Sequence, residues 1–126
     1  MSDHKKAPIQ KSFGYAFAGI ASCIKNERNM KIHCVMALLV TAAGFVLEIS
    51  VTEWCICLIL FALIFSLEMV NTAVESVVDL VTLEKKPLAK IAKDTAAGAV
   101  LAAAILSAII GCVIFVPKGL TFLRIL

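Results

Sequence analysis

Phe65-Ser66-Leu67-Glu68-Met69-Val70-Asn71-Thr72-Ala73-Val74-Glu75-Ser76-Val77-Val78-Asp79 continues a hydrophobic run that begins at Trp54, and no charge occurs between Trp54 and Leu67. Glu68, Asn71, Glu75 and Asp79 then arrive at steps of three, four and four. An α-helix turns by about 100° per residue, so these four side chains fall within an arc of roughly 80°. One face of the helix carries three acids and an amide, while Met69, Val70, Ala73, Val74, Val77 and Val78 keep the rest apolar. Acids at the end of a membrane helix are costly to hold there, and their default reading is functional. A polar cap sliding out of the membrane would not need such strict spacing.

The composition agrees with a membrane helix. The chain has 126 residues, 61% of them hydrophobic and only 17% charged. The mean hydropathy is +0.98. Such values belong to a single membrane domain rather than to a soluble core. A net charge of +3 is too small to imply nucleic acid. The basic residues flank the apolar runs, as membrane-side anchors do. The five cysteines, Cys23, Cys34, Cys55, Cys57 and Cys112, include no Cys-x-x-Cys pair and read as reduced, buried small hydrophobes. His4 and His33 lack zinc-ligand spacing.

Upstream of the deciding stretch, residues 9–28 repeat apolar side chains at helical spacing: Ile9, Phe13, Ala16, Phe17, Ile20, Cys23 and Ile24, with lysines at both ends. This pattern predicts an amphipathic helix lying in the membrane interface. Lys25, Glu27, Arg28 and Lys31 form a charged collar, after which residues 32–47 are free of charge. Those sixteen positions reach about 24 Å, so a first span over residues 32–51 is needed to approach a hydrocarbon core of about 30 Å. The turn that follows carries Glu48 and Glu53 and no base, and Trp54 marks an interface. The second span is predicted over residues 54–83, closed by Pro87. The third covers residues 95–116, is rich in alanine and glycine, and ends at Pro117. Its small residues permit close helix packing.

Lysine and arginine set the topology. Lys5, Lys6, Lys11, Lys25, Arg28 and Lys31 precede the first span, and Lys85, Lys86, Lys90 and Lys93 fill the second loop. The first loop has none, and only Lys118 and Arg124 follow the third span. Positive residues favour the cytoplasm, so the N-terminus and the lysine-rich loop are expected inside. Glu68 then lies about 21 Å below Trp54, still within the hydrocarbon, and Glu75 lies near the inner interface at about 31 Å. Asp79 falls beyond it. Glu27, at the foot of the first span, reaches the level of Glu75.

Two carboxylates at one level suit Mg²⁺, which is often held by one or two carboxylates plus substrate phosphates. The loop lysines can take phosphate charge. Glu68, deeper in the membrane, suits a general base. Together these suggest phosphoryl transfer from a soluble nucleotide to a lipid hydroxyl. The same acids would also suit a small oligomeric ion or proton channel. No Gly-x-x-x-x-Gly-Lys-Ser/Thr or Gly-x-Gly-x-x-Gly loop occurs, so any nucleotide site must be built from helix faces and a loop.

Glu68-x-x-Asn71-Thr72-Ala73-x-Glu75-x-x-x-Asp79, followed by Ala92-Lys93-Asp94-x-Ala96-Ala97, resembles the signature of the small prokaryotic diacylglycerol kinase and undecaprenol kinase family. Glu27 in Lys25-Asn26-Glu27-Arg28-Asn29 matches that family's N-terminal glutamate, and the resemblance runs from about Phe13 to Phe115. It implies an all-α integral membrane protein: a homotrimer of subunits with one surface helix and three transmembrane helices, and active sites composed between subunits. It also implies ATP as donor, Mg²⁺ as cofactor, undecaprenol or diacylglycerol as acceptor, and the bacterial inner membrane as location. By the same resemblance Glu68 is the catalytic base, Asn71 lies beside the reacting hydroxyl, and Glu27 and Glu75 hold the metal and thereby the nucleotide. Lys93 and Asp94 resemble nucleotide contacts, Lys11 and Tyr15 match N-terminal ones, and Asp79 supports that site. Glu84 matches the acid of a Glu-Tyr-His triplet, but here Lys85-Lys86 replaces Tyr-His.

Overall fold

A computed structural model describes residues 8–126, so Lys5 and Lys6 of the topology count and His4 lie outside the described residues. The described chain is all-helical: α1 Ile9–Asn26, α2 Arg28–Val46, α3 Val51–Val81 and α4 Pro87–Ile125. The last three are long and apolar enough to cross a membrane. α3 packs along α4, α2 lies more lightly on α3, and α1 touches α2 and α3 near its C-terminal end. The all-α membrane architecture expected from the sequence is therefore present, with a short helix followed by three spans.

Several boundaries differ from the sequence reading, each for a local reason. The break between α1 and α2 falls at Glu27, whose backbone is extended. Its amide still donates to the Cys23 carbonyl at 2.9 Å, and its own carbonyl accepts from the Lys31 amide at 3.2 Å. Both backbone groups thus keep partners, and the chain changes direction there without leaving buried polar groups. α2 ends at Val46 instead of near Val51, because α3 begins with a capping box. The Ser50 hydroxyl accepts from the Glu53 amide at 3.2 Å, and the Ser50 amide donates to the Glu53 carboxylate at 2.7 Å. That Ser-x-x-Glu signature outweighs the hydrophobic continuity through Ile49 and Val51.

The turn between α2 and α3 is tight. Glu48 adopts a positive φ of 50°, the left-handed region in which a side chain is strained. Trp54 folds back over the corner: a Cβ on Gly44 would meet its ring at 2.7 Å, and its centroid lies 4.9 Å from that of Phe45. Ile49 is buried beneath, with Cys57 and Ile114. Trp54 therefore packs a corner besides standing at a helix end. Glu53 also pairs with Lys118 of α4 at 3.3 Å, fastening the far end of α4 to this turn.

α4 is longer at both ends than the predicted span. Pro87 does not close α3; it starts α4 at a first-turn position, where its missing N–H costs nothing. Lys90 and Lys93 consequently stand on helix rather than in a loop. Pro117 does not end α4 either, and the helix runs on to Ile125. The ring removes one backbone donor, but membrane helices tolerate this where local groups compensate. One turn further on, the Thr121 hydroxyl donates back to the Pro117 carbonyl at 3.0 Å. All five cysteines are free thiols, but only Cys23 and Cys57 are buried as expected; Cys34 is half-buried, and Cys55 and Cys112 lie exposed on the apolar helices.

Candidate functional site

Along α3, Cys57, Phe61, Ile64, Glu68, Asn71 and Glu75 alternate steps of four and three, which keeps them on one stripe. This stripe faces the rest of the chain: Cys57, Glu68 and Asn71 are the buried residues of α3. Glu68 is 1% exposed and Asn71 5%. The Asn71 amide donates to the Glu75 carboxylate at 3.1 Å, one turn on. Glu68 Oε2 and Asn71 Oδ1 are buried without a hydrogen-bond partner among the described residues. An acceptor stranded in this way costs about 1–3 kcal/mol. Two neighbouring ones mark a place where a donor or cation belongs.

Other elements close around this point. The charged groups acting on Glu68 are His33 of α2, Glu27 at the α1–α2 break, and Glu75, with the Asn29 side chain beside it. Two carboxylates, Glu27 and Glu75, and one imidazole, His33, are thus close enough to Glu68 to act on its charge. Among the described residues no three metal-binding side chains converge, and the oxygen donors placed together are those of Glu75 and the Asn71 amide beside it. That donor set fits a hard cation completed by phosphate and water, and the unpartnered Asn71 oxygen beside Glu75 adds to the oxygen-rich surroundings. Glu68, Asn71 and Glu75 therefore share one stripe of α3, and Glu27 at the α1–α2 break comes near enough to act on Glu68.

α1 is fastened here by a single buried residue, Cys23, 5% exposed. Its thiol lies 3.6 Å from the Thr72 hydroxyl, which donates to the Glu68 carbonyl at 3.0 Å. The surface helix is thus seated on the turn of α3 that carries Glu68. Beyond it, at the ends of α3 and α4, the Lys93 ammonium donates to Asp79 at 2.5 Å. Asp79 is exposed and Lys93 half-buried. Asp94, also exposed, pairs with Lys90 one turn earlier on α4.

The remaining predicted residues stand apart. Glu84 is exposed and pairs with Lys86 at 3.6 Å. Lys11 and Tyr15 are exposed on the first half of α1. Counted along the helix, they lie about 24 Å and 18 Å from Glu27. Within one chain they do not reach the carboxylates. Four residues at the site were given no part in it from the sequence: Asn29, His33, Cys23 and Thr72. Asn29 and His33 are four apart at the start of an apolar helix, a polar pair on one face, and that spacing was the available signal.

A family model described as prokaryotic diacylglycerol kinase matches residues 14–115. The undecaprenol kinase of Bacillus subtilis is 49% identical over 108 residues, covering 86% of this chain and 88% of that one. The diacylglycerol kinase of Synechocystis is 40% identical over 113 residues, covering 89% of this chain and 65% of that longer one. The diacylglycerol kinase of Escherichia coli is 29% identical over 106 residues, covering 84% of this chain and 87% of that one.

Proposed function

The chain belongs to the prokaryotic diacylglycerol kinase family, and from that premise we propose that it is a lipid kinase using ATP and Mg²⁺ to phosphorylate a lipid alcohol at the cytoplasmic membrane interface. The observation that carries the reading is the buried Glu68 carboxylate, with one unpartnered oxygen, beside the Asn71–Glu75 pair. The acceptor is undecaprenol or diacylglycerol. The 49% identity to an undecaprenol kinase favours the first.

Each residue has a part that its surroundings permit. The lipid hydroxyl donates to Glu68, whose carboxylate takes the proton as the hydroxyl oxygen bonds to the γ-phosphorus. The bond from that phosphorus to the β-phosphate oxygen breaks, and ADP leaves. Asn71, held by Glu75, steadies the hydroxyl from the other side. Glu27 and Glu75 would hold Mg²⁺, which when bound neutralises phosphate charge. Phosphoryl transfer depends mainly on such positioning and charge neutralisation. Lys93 faces the phosphates and Asp79 orients it, while Asp94 and Glu84 contact the nucleotide. Lys11 and Tyr15 complete the nucleotide site across a subunit boundary in a homotrimer, since their own chain keeps them far from Glu27. The family relation sets aside the ion-pathway reading of the same acids.

The test is transfer of labelled γ-phosphate from ATP to a total lipid extract, with the product identified by mass. A labelled polyprenyl phosphate or phosphatidic acid is expected. ATP hydrolysis without any labelled lipid would overturn the reading.

A further inference from the structure

Four hydroxyls donate back to the carbonyl one helical turn earlier: Thr41 to Ala37, Thr72 to Glu68, Ser76 to Thr72 and Thr121 to Pro117. Of the four, Thr72 alone has a second partner, the Cys23 thiol of α1 at 3.6 Å. A hydroxyl carries one proton, and the Glu68 carbonyl takes it at 3.0 Å. The Thr72 oxygen therefore accepts, and the Cys23 thiol donates. Among the described residues this is the only side-chain hydrogen bond that joins α1 to another helix. From its backbone, Cys23 also holds the next element: its carbonyl accepts the Glu27 amide at 2.9 Å. One residue thus grips the break that carries Glu27 and, through Thr72, the turn of α3 that carries Glu68.

We propose that Cys23 and Thr72 form a positioning pair that sets Glu27 against the Glu68–Glu75 face of α3, and through Glu27 the affinity of the site for a divalent cation. The inference rests on the lipid-kinase reading, in which Glu27 and Glu75 hold the metal, and adds what fixes one against the other. Little else in the chain does so. Glu27 ends α1 and precedes α2 in an extended conformation, and no side-chain bond caps either helix there. Phe13, Phe17, Ile20 and Ile24 of α1 are exposed, so apolar packing inside the chain does not hold the helix; Cys23 is its one buried residue. With Cys23 seated, Glu27 comes near enough to Glu68 to act on its charge. Without the seat, α1 can swing about the break and carry Glu27 with it.

Cys23→Ala and Thr72→Val each remove the bond, whereas Cys23→Ser and Thr72→Ser keep a donor and an acceptor. Mn²⁺ alone, titrated without nucleotide and followed by electron paramagnetic resonance, reports the cation site directly. Cys23→Ala and Thr72→Val should bind it about tenfold more weakly than wild type, the lower end of what a lost outer contact costs a metal site. The two serine variants should bind as wild type does. The double variant Cys23→Ala/Thr72→Val should bind no more weakly than either single one, because the same contact is lost only once. The Mg²⁺ concentration for half-maximal activity should rise in parallel. Lower thermal midpoints with unchanged Mn²⁺ affinity would make the pair merely structural and overturn the proposal, as would additive losses in the double variant. Thr72→Cys gives a second route should those variants fold poorly. Mild oxidation should link position 72 to Cys23 within one chain, shown by peptide mass, and the oxidised form should bind Mn²⁺ more tightly than the reduced form. No link, a link between two chains, or equal affinity in the two forms overturns the proposal. A wild type that neither binds Mn²⁺ nor phosphorylates a lipid brings down the lipid-kinase reading itself. An active wild type whose variants keep its Mn²⁺ affinity defeats only the positioning pair.

Discussion

Glu68 and Asp79 lie on one face of α3, eleven residues and about 16 Å apart, in opposite surroundings. Glu68 is buried with an unpartnered oxygen, and Asp79 is exposed and paired with Lys93. Glu68→Gln keeps the shape but cannot take a proton. Its kcat should fall by about 10²–10⁴, the usual contribution of a general base, while ATP binding measured by equilibrium dialysis survives. A fall much smaller than a hundredfold would mean that Glu68 orients the hydroxyl rather than deprotonating it. Asp79→Asn should leave kcat nearly intact and raise KM for ATP, because Lys93 loses its anchor. Loss of turnover with unchanged ATP binding would remove that distinction. Glu27→Gln and Glu75→Gln should each shift the Mg²⁺ titration of activity to higher concentration, one carboxylate of the pair being gone. A wild-type midpoint in either variant would clear that residue of metal binding. The acids were legible from their spacing, because a helix converts steps of three and four into one face. The partners His33, Asn29 and Cys23 were not, because they come from other helices.

The corner between α2 and α3 decides where two spans begin and end. Gly44 has no room for a methyl group, since Trp54 would lie 2.7 Å from it. Gly44→Ala should lower the thermal midpoint in detergent, at a cost of about 1–3 kcal/mol for overpacking. Ser50→Ala removes one half of the capping box and should cost about 0.5–2 kcal/mol. A midpoint within error of wild type for both variants would show that the corner contributes nothing to stability. Hydrophobicity identified the three spans but misjudged their ends. It continues across the Leu47–Ser50 turn and falls off before α4 stops, whereas the ends are set by caps, by Pro87 at a helix start and by Pro117 accommodated inside one.

For the whole molecule, the small residues of α4 offer a test of assembly. A Cβ on Gly98 would meet nothing within 4 Å of its own chain. Gly98→Leu should therefore be harmless to the single subunit and disruptive where another subunit's backbone approaches. Chemical cross-linking in detergent should show less of the proposed trimer for this variant than for the wild type, and an unchanged band would mean that this face meets lipid. The sequence by itself determined that the chain is helical, that three stretches are apolar enough to cross a membrane, and that one of them ends in a face of acids. These are properties of composition and of a 3.6-residue period, which a linear chain carries in itself. Only the tertiary structure decided that His33 and Asn29 come to Glu68, that Cys23 seats the surface helix on Thr72, and that an apolar groove lined by α2, α3 and α4 runs up to the turn before the buried carboxylate. Those depend on how helices far apart in sequence cross and pack, and local periodicity does not encode relative position.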